Sequence, residues 1–549
     1  MVRVSVLTAG VICSVLAAGV ALAGSTARGV REATPVGPQP GEPVFVISGR
    51  GWGHGVGMGQ WGANGFAQRG MTYDRILTHY YRGTNIAEAP VATVRVLLAA
   101  AKKSLAITST TPFRVRDASG QARPLQAGKH VLGPGLKVQP KGAKRKVALK
   151  APLEFLPGAV PLELDRPYRG TIRVDLQRGR LRTINHVGLE QYLYGVVPAE
   201  VPDDWPAEVL KAQAVAARTY ALATRKSEGD FDLFSDVRSQ VYRGVNEEEV
   251  TTNRAVDETA GEILEYRGRI VTTYFHSTSG GRTASIADVW PGSSPVPYLV
   301  SVEDPHDSLS PHHIWGPVVV PASRLDRVLK APGRLTDVRL TVNPSARVSL
   351  VTGVGSLGEA GLRAADVRRE LGLRSTWFRI GVLQLASPAK PLAYGAAGRL
   401  TGIARGVGRP VLEQQTAAGW RTIASVRPQA DGTFSATVRP IATGQYRLNT
   451  GTARTAVTRV SVAPRIALKP VMDPMELRGT VRPVLRGAAV EIQRLNGGGS
   501  WQTVGRATVD AQGGFVAALH VPPGSYRARV PAPGRGLVAG TSPTLVVAG

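Results

Sequence analysis

Apolar and polar residues alternate in short runs between residues 91 and 186: TVRVLLA, SLAITS, FRVRD, HVLG, KVALK, LEFLP and GTIRVDL, broken by Gly, Pro and Asp-Ala-Ser-Gly. Alternation with period two at this spacing predicts hairpin-linked strands. After Val187 the period changes. Over 209–223, Val209, Gln213, Ala216 and Tyr220 fall on one helical stripe, and Leu210, Ala214, Ala217 and Ala221 on the next. Ala, Leu, Lys, Gln and Arg dominate, so a helix with small residues on two faces is expected, packed closely against a sheet. Asp203 and Asp204 are N-cap candidates, Pro206 suits the first turn, and Glu208 sits where the helix dipole favours negative charge. Ahead of it lies Glu200, between Pro198 and Pro202. Proline lacks an N–H and fixes φ, so this segment is expected to be a rigid loop presenting Glu200.

Elsewhere the pattern predicts a strand at VFVIS from Val44, a helix at TYDRILTHYY closed by Gly83, a helix over 247–259, and two strands in EILEYRGRIVTTYFH joined at Tyr-Arg-Gly-Arg. A polar loop of small residues follows, from His276 to Gly281. Its hydroxyls, Ser277, Thr278 and Ser279, suit sugar recognition. An α/β stretch runs to Leu385. Beyond it the chain repeats, pairing Trp420, Phe434 and Tyr446 with Trp501, Phe515 and Tyr526, and each copy is expected to be a small β sandwich with a Trp, Phe and Tyr core. Neither copy has a convergent polar set resembling an active site, so both are expected to be spacers or wall-binding modules.

Charge narrows the partners. The 549 residues include 67 basic and 40 acidic ones, a formal net charge of +27, so the surface seeks polyanions. Residues 1–23 have the pattern of a secretory signal peptide, a charged start, an apolar run and a small-residue end, and 24–43 that of a flexible linker. Export directs the charge toward anionic wall polymers and away from nucleic acid, for which there is also no basic motif interleaved with aromatics. After removal of the signal, no run is long and apolar enough to span a membrane. Cys13, the one cysteine, lies in the signal, so the mature chain would have no disulfide and no thiol chemistry.

Glycines at 49, 51, 53, 55, 57, 59 and 62 let backbone turn sharply and something approach closely. Gly57, Gly59 and Gly62 satisfy G-x-G-x-x-G, but no acidic residue follows at the dinucleotide spacing. The stretch reads better as the lining of a glycan groove, with Trp52, His54 and Trp61 as contacts and Gln60 beside them. His306, His312 and His313 collect in a loop expected to be solvent-rich, at a spacing that matches no common metal pattern. No metal and no cofactor is expected. Between Lys137 and Lys150 the basic residues read as a solvated hairpin.

VGLEQYLYGVVPAEVPDDWPAEVLKAQAVAARTYAL (187–222), TTYFHSTSGGRTASIADVW (272–290) and GRGWGHGVGMGQWGANGFAQRGMTYDRILTHYYRGT (49–84) resemble the SpoIID/LytB family, stage II sporulation protein D and its amidase-enhancer relatives. The resemblance covers most of 44–385. It implies an α+β, SpoIID-like domain with a mixed sheet and packed helices over 44–385, carrying the β-rich segment 91–186. Immunoglobulin-like β modules at 390–465 and 466–549 would follow. In sporulation proteins of the family, Gly-His-Gly-Val-Gly-Met ends the domain, whereas here it opens it; adjacent termini would reconcile the two orders. Zinc-binding relatives carry cysteines near Phe-His-Ser-Thr that this chain lacks.

For function, the resemblance implies cleavage of peptidoglycan glycan strands between N-acetylmuramic acid and N-acetylglucosamine by lytic transglycosylation. One Glu, here Glu200, would act first as acid and then as base. Lys211 and Arg218 would stabilise charge or orient Glu200, and Gln213, His276, Ser277, Ser279, His54 and Gln60 would hold the sugars. The other expectation is a non-catalytic wall-binding protein that enhances a partner cell-wall amidase.

Overall fold

The computed structural model describes residues 41–226, 228–386, 388–472 and 475–548. The expected signal peptide and nearly all of the expected linker lie outside them. The fold is mixed α/β and mostly strand, with few helices. At its centre is helix α5 (Ala207–Thr224), reached through α1 (Gln60–Ala67), α2 (Tyr73–Tyr80), α3 (Leu189–Tyr194) and α4 (Val197–Glu200).

The alternating runs of 91–186 supply most of a seven-stranded sheet. Thr93–Lys102, Arg180–Gly188, Thr171–Gln177 and Leu153–Leu156 are neighbours in that order, joined by antiparallel pairing. Leu210, Ala214, Ala217 and Ala221 of α5 enter the core under this sheet with Val94, Val96, Val174 and Leu181. The other side of the helix, Val209, Ala212, Val215 and Ala216, packs with Val56, Met58, Ile76, Leu77 and Tyr80. Short side chains on both stripes allow this double approach. The expected helix over 247–259 forms as a 3-10 turn, Gly244–Glu247, followed by α6 (Val250–Glu258).

The strand Val44–Arg50 lies between Ile314–Pro321 and Phe378–Leu385 and is antiparallel to both. The start of this region therefore sits beside its end, which is the adjacency that the altered position of the Gly-rich motif called for. Phe45 and Ile47 anchor a core with Val320, Leu325, Val351, Val367 and Val382.

The same sheet continues past residue 385. Phe378–Leu385 pairs with Gly398–Arg405, which pairs with Thr433–Val438. Val46, Leu383 and Leu385 share a core with Leu400, Phe434, Tyr446 and Leu448. The first repeat thus completes its sandwich with strands from before the expected boundary. The second repeat uses its own strands: Arg465–Met472, Met475–Arg482 and Gly514–Ala517 face Ala489–Leu495, Trp501–Thr508 and Gly524–Val530 around Leu477, Phe515, Tyr526 and Val530. Phe and Tyr of each repeat are buried as expected, but the tryptophans are not core residues. Trp420 and Trp501 lie half-buried on the outside, under the guanidinium groups of Arg447 and Arg527 at 4.0 and 4.2 Å from the ring centres. Outward-facing strand positions carry them there, and the cation covers the ring.

These pairings predict unequal behaviour of fragments. Residues 464–549 expressed alone should melt cooperatively, whereas 390–463, lacking Phe378–Leu385 and Val44–Arg50, should show no cooperative transition in calorimetry.

Candidate functional site

Three segments distant in sequence are joined through Gly59–Trp61 beside the C-terminal end of α4. Pro198 stands in its first turn, where a missing N–H costs nothing, and Glu200 is its last residue. The expected loop is therefore a short helix, which ends because Val201, preceding Pro202, is forced into an extended conformation. Asp203 and Asp204 do not cap α5. They lie exposed in the turn before it, and the N-cap is Pro206. Glu208 takes over the polar work at this end: its carboxylate accepts the Tyr73 backbone N–H at 2.8 Å and pairs with Lys211 at 3.2 Å.

Gln60 starts α1, so the Gly-rich stretch ends in a helix. Its Nε2 donates to the Glu200 carbonyl at 3.2 Å and to Gln213 Oε1 at 3.4 Å, joining the first and second segments in a buried contact. Trp61 N–H donates to the Ser277 carbonyl, and Gly59 pairs with His276, which brings in the third. Trp61 and Trp205 meet edge to face with centroids 5.0 Å apart. Both are half-buried; Trp205 follows Glu200 by five residues, and Trp61 follows Gln60, whose amide bonds the Glu200 carbonyl. The Glu200 side chain keeps some exposed surface, yet dense packing desolvates it. Burial pushes its carboxyl up to about 7, against a smaller opposing pull from Arg243. Among the described residues its carboxylate has no hydrogen-bond or ion-pair partner.

The two histidines are held as neutral rings. His54 Nδ1 accepts the Val56 N–H at 3.1 Å, which puts its proton on Nε2, and burial with nearby Arg368 and Arg347 lowers its pKa to about 3. His276 faces the carbonyl of Val56 through Nδ1 at 3.2 Å, which leaves Nε2 as a bare acceptor; burial, with His54 and Arg347 nearby, holds this ring well below the usual imidazole value. Their centroids are 5.5 Å apart, with Tyr274 and Trp290 alongside His54.

Other expected site residues have partners of their own. Arg218 is fully buried and bonds Glu190 at 2.5 Å, with further donations to the Glu262 and Val256 carbonyls. Lys211 is occupied by Glu208 and by Glu258 at 2.8 Å. Neither contacts Glu200 in this structure. Arg218 is also not the solvent-reaching side chain that its helix position allows, because both faces of α5 are covered. Ser279 is buried, its hydroxyl accepting the Gly281 N–H, whereas Ser277 is half-buried.

The loop expected to be solvent-rich is anchored inside. Asp304 and Asp307 are fully buried: Tyr80 donates to Asp304 at 2.9 Å, and Asp307 accepts the Ser279 and Gly280 N–H groups and faces His313 Nδ1 at 2.8 Å. Burial, with Asp307 close by, raises the Asp304 carboxyl to about 7. Gly62 is required here, since a Cβ would stand 1.9 Å from an Asp304 oxygen. The three histidines diverge, His306 onto Phe66, His312 onto Trp52 and His313 onto Asp307. Among the described residues no group of three or more His, Asp or Glu is placed to hold a metal. Sequence reasoning missed Tyr80, Asp304, Asp307 and the buried Arg347, which donates to the Ser279 carbonyl. The acidic residues flanking His306 were a readable signal; nothing in the sequence marked Arg347.

Comparison with known proteins places the chain in a family. The family described as Stage II sporulation protein matches residues 177–266. Stage II sporulation protein D of Bacillus amyloliquefaciens is 30% identical over 244 residues, covering 40% of this chain and 67% of that protein. The amidase enhancer of Bacillus subtilis is 42% identical over 116 residues, 21% of this chain and 15% of its own length. An uncharacterized protein of Brachyspira hyodysenteriae is 38% identical over 138 residues, 25% and 37% of the two chains. The chain belongs to the SpoIID/LytB family. It spans well under half the length of the last two relatives.

Two measurements test the electrostatics. Because the folded-state pKa of Glu200 lies above the ordinary value of 4.5, the folded chain holds a proton that the unfolded chain releases, so stability is favoured below that window and lost as pH rises through about 7. Glu200→Gln should match the wild-type melt at pH 4 and exceed it at pH 8, by at most about 3 kcal/mol. Arg218→Ala should cost about 3–5 kcal/mol in denaturant titrations, since Glu190 would lose its buried partner.

Proposed function

We propose that this protein is an exported peptidoglycan-remodelling enzyme that cleaves glycan strands by lytic transglycosylation, with Glu200 as acid and base. The observation that carries the reading is a carboxyl raised to about 7, free of partners among the described residues, where three segments converge. A general acid must hold its proton near neutral pH until a leaving oxygen takes it, and desolvation produces such a carboxyl. Trp61 and Trp205 offer aromatic faces for pyranose rings. Of the polar residues expected to hold sugars, His54 and Ser277 are half-buried, whereas Gln60, Gln213, His276 and Ser279 are buried and support the site from within.

In the reaction, Glu200 protonates the glycosidic oxygen as the bond to C1 of N-acetylmuramic acid breaks. The C6 hydroxyl of the same sugar attacks C1 and returns its proton to Glu200, leaving a 1,6-anhydro end and consuming no water. One carboxylate suffices, unlike the pair that hydrolytic glycosidases require. Lys211 and Arg218 act at a distance on this reading, by fixing α5 against Glu258 of α6 and Glu190 of α3.

The similarity to an amidase enhancer favours a second reading, in which the protein binds wall glycan and stimulates a partner amidase. Mass spectrometry of glycan fragments separates the two. Purified wild type should release anhydro-muramyl ends, and Glu200→Gln should lose about 10²- to 10⁴-fold or more in rate while still binding sacculi. Wild type that releases none, with Glu200→Gln still stimulating an amidase, would replace the first reading by the second. For the active enzyme, kcat/KM should fall as pH rises through about 7, because the free enzyme then loses the proton it must donate.

A further inference from the structure

Lysine is scarce in this chain, 13 of 67 basic residues, and six of the 13 fall within 129–150: Lys129, Lys137, Lys141, Lys144, Lys146 and Lys150. No acidic residue occurs between Asp117 and Glu154. The structure gathers Lys129, Lys137 and Lys146 on the walls of a cleft of about 420 Å³ between the strand Gly128–Leu132 and the hairpin of Lys137–Val138 with Val147–Ala148. The side chains of Gln126, Gln139 and His130 complete it. Among the described residues these lysines form no ion pair. In the same β-rich region, Arg95, Arg116, Arg169 and Arg182 are each matched to a carboxylate.

The cleft is rigid, because Leu132, Leu136, Val138 and Leu149 behind it belong to the core that holds Leu210 and Ala214 of α5. His130 is fixed by the Gln126 carbonyl at 2.9 Å and by Phe113. Three unmatched cations held apart on a fixed surface repel one another, a cost that an anionic ligand would remove.

We propose that this cleft binds a phosphodiester-linked polyol chain, an anionic polymer of the wall, separately from the Glu200 site. Lysine presents a compact point charge with rotatable donors, suited to successive phosphates, whereas arginine's fork suits planar bidentate partners. The lining contains no Trp, Tyr or Phe, and its one aromatic ring, His130, is already engaged by the Gln126 carbonyl and Phe113, so successive bases of a nucleic acid would find no run of stacking platforms. A concave site admits a single chain and excludes a flat bilayer. The inference does not depend on cleavage at Glu200.

Titration calorimetry of the full chain with synthetic poly(glycerol phosphate) at 0.1 M salt tests it. The triple variant Lys129→Gln, Lys137→Gln, Lys146→Gln should bind on the order of 100-fold more weakly. The charge-matched control Lys102→Gln, Lys103→Gln, Lys390→Gln should stay within about threefold of wild type, and so should Glu200→Gln. Equal weakening in both triples would show a general field effect and overturn the proposal, as would no weakening in the first. So would polyglutamate or oligothymidylate of equal charge binding as tightly as the polyol phosphate, or capture by phosphatidylglycerol vesicles without binding of the soluble polymer.

Discussion

Helix α5 has almost no face left for water, and every polar group on it therefore needs a partner inside the protein. From Val209 to Leu222 each residue except Lys211 is buried. Leaving a buried charge or amide unmatched would cost several kcal/mol, so the neighbours of the helix are constrained by what its polar side chains require. Arg218 requires Glu190 of α3 and the carbonyls of Val256 and Glu262. Thr219 accepts the Leu264 N–H and so ties the strand Glu262–Tyr266 to the helix. The Ala216 carbonyl receives the Thr273 hydroxyl, and Gln213 receives Gln60.

This satisfaction of buried polar groups also builds the candidate site. Gln60 reaches Gln213 and the Glu200 carbonyl with the same amide, so the Gly-rich segment is pinned beside α4 by a bond to the central helix. Asp307 performs the equivalent service for the loop after His276 by accepting two consecutive backbone N–H groups. Among the described residues Glu200 is a desolvated carboxyl whose side chain has no hydrogen-bond or ion-pair partner, and Gln213 Nε2, His54 Nε2 and His276 Nε2 are buried without one as well. A carboxyl left in that state beside a packed helix is a candidate for acid–base chemistry.

The continuous sheet from Ile314–Pro321 through Thr433–Val438 ties the start of the region 44–385 to its end. Val44–Arg50 enters next to Phe378–Leu385, so the start and end of the region share one sheet, and the Gly-rich segment leaves from an interior strand. It also couples the first β repeat to the region before it, whereas the second repeat stands on its own core.

By itself the sequence determined the period-two strands of 91–186, a closely packed helix over 209–223, the repeat, and the three segments from which the candidate site is drawn. These are legible because local periodicity and composition follow directly from which face is buried. Tertiary structure decided the rest. That Pro198 begins a helical turn, that Arg218 serves Glu190, and that Trp420 and Trp501 face outward depend on which partners arrive from far along the chain. The buried aspartates 304 and 307 and Arg347 belong to the same class. A polar side chain in an irregular segment has no period to reveal its direction, and only the packed neighbours decide whether it meets water or a hydrogen-bond partner.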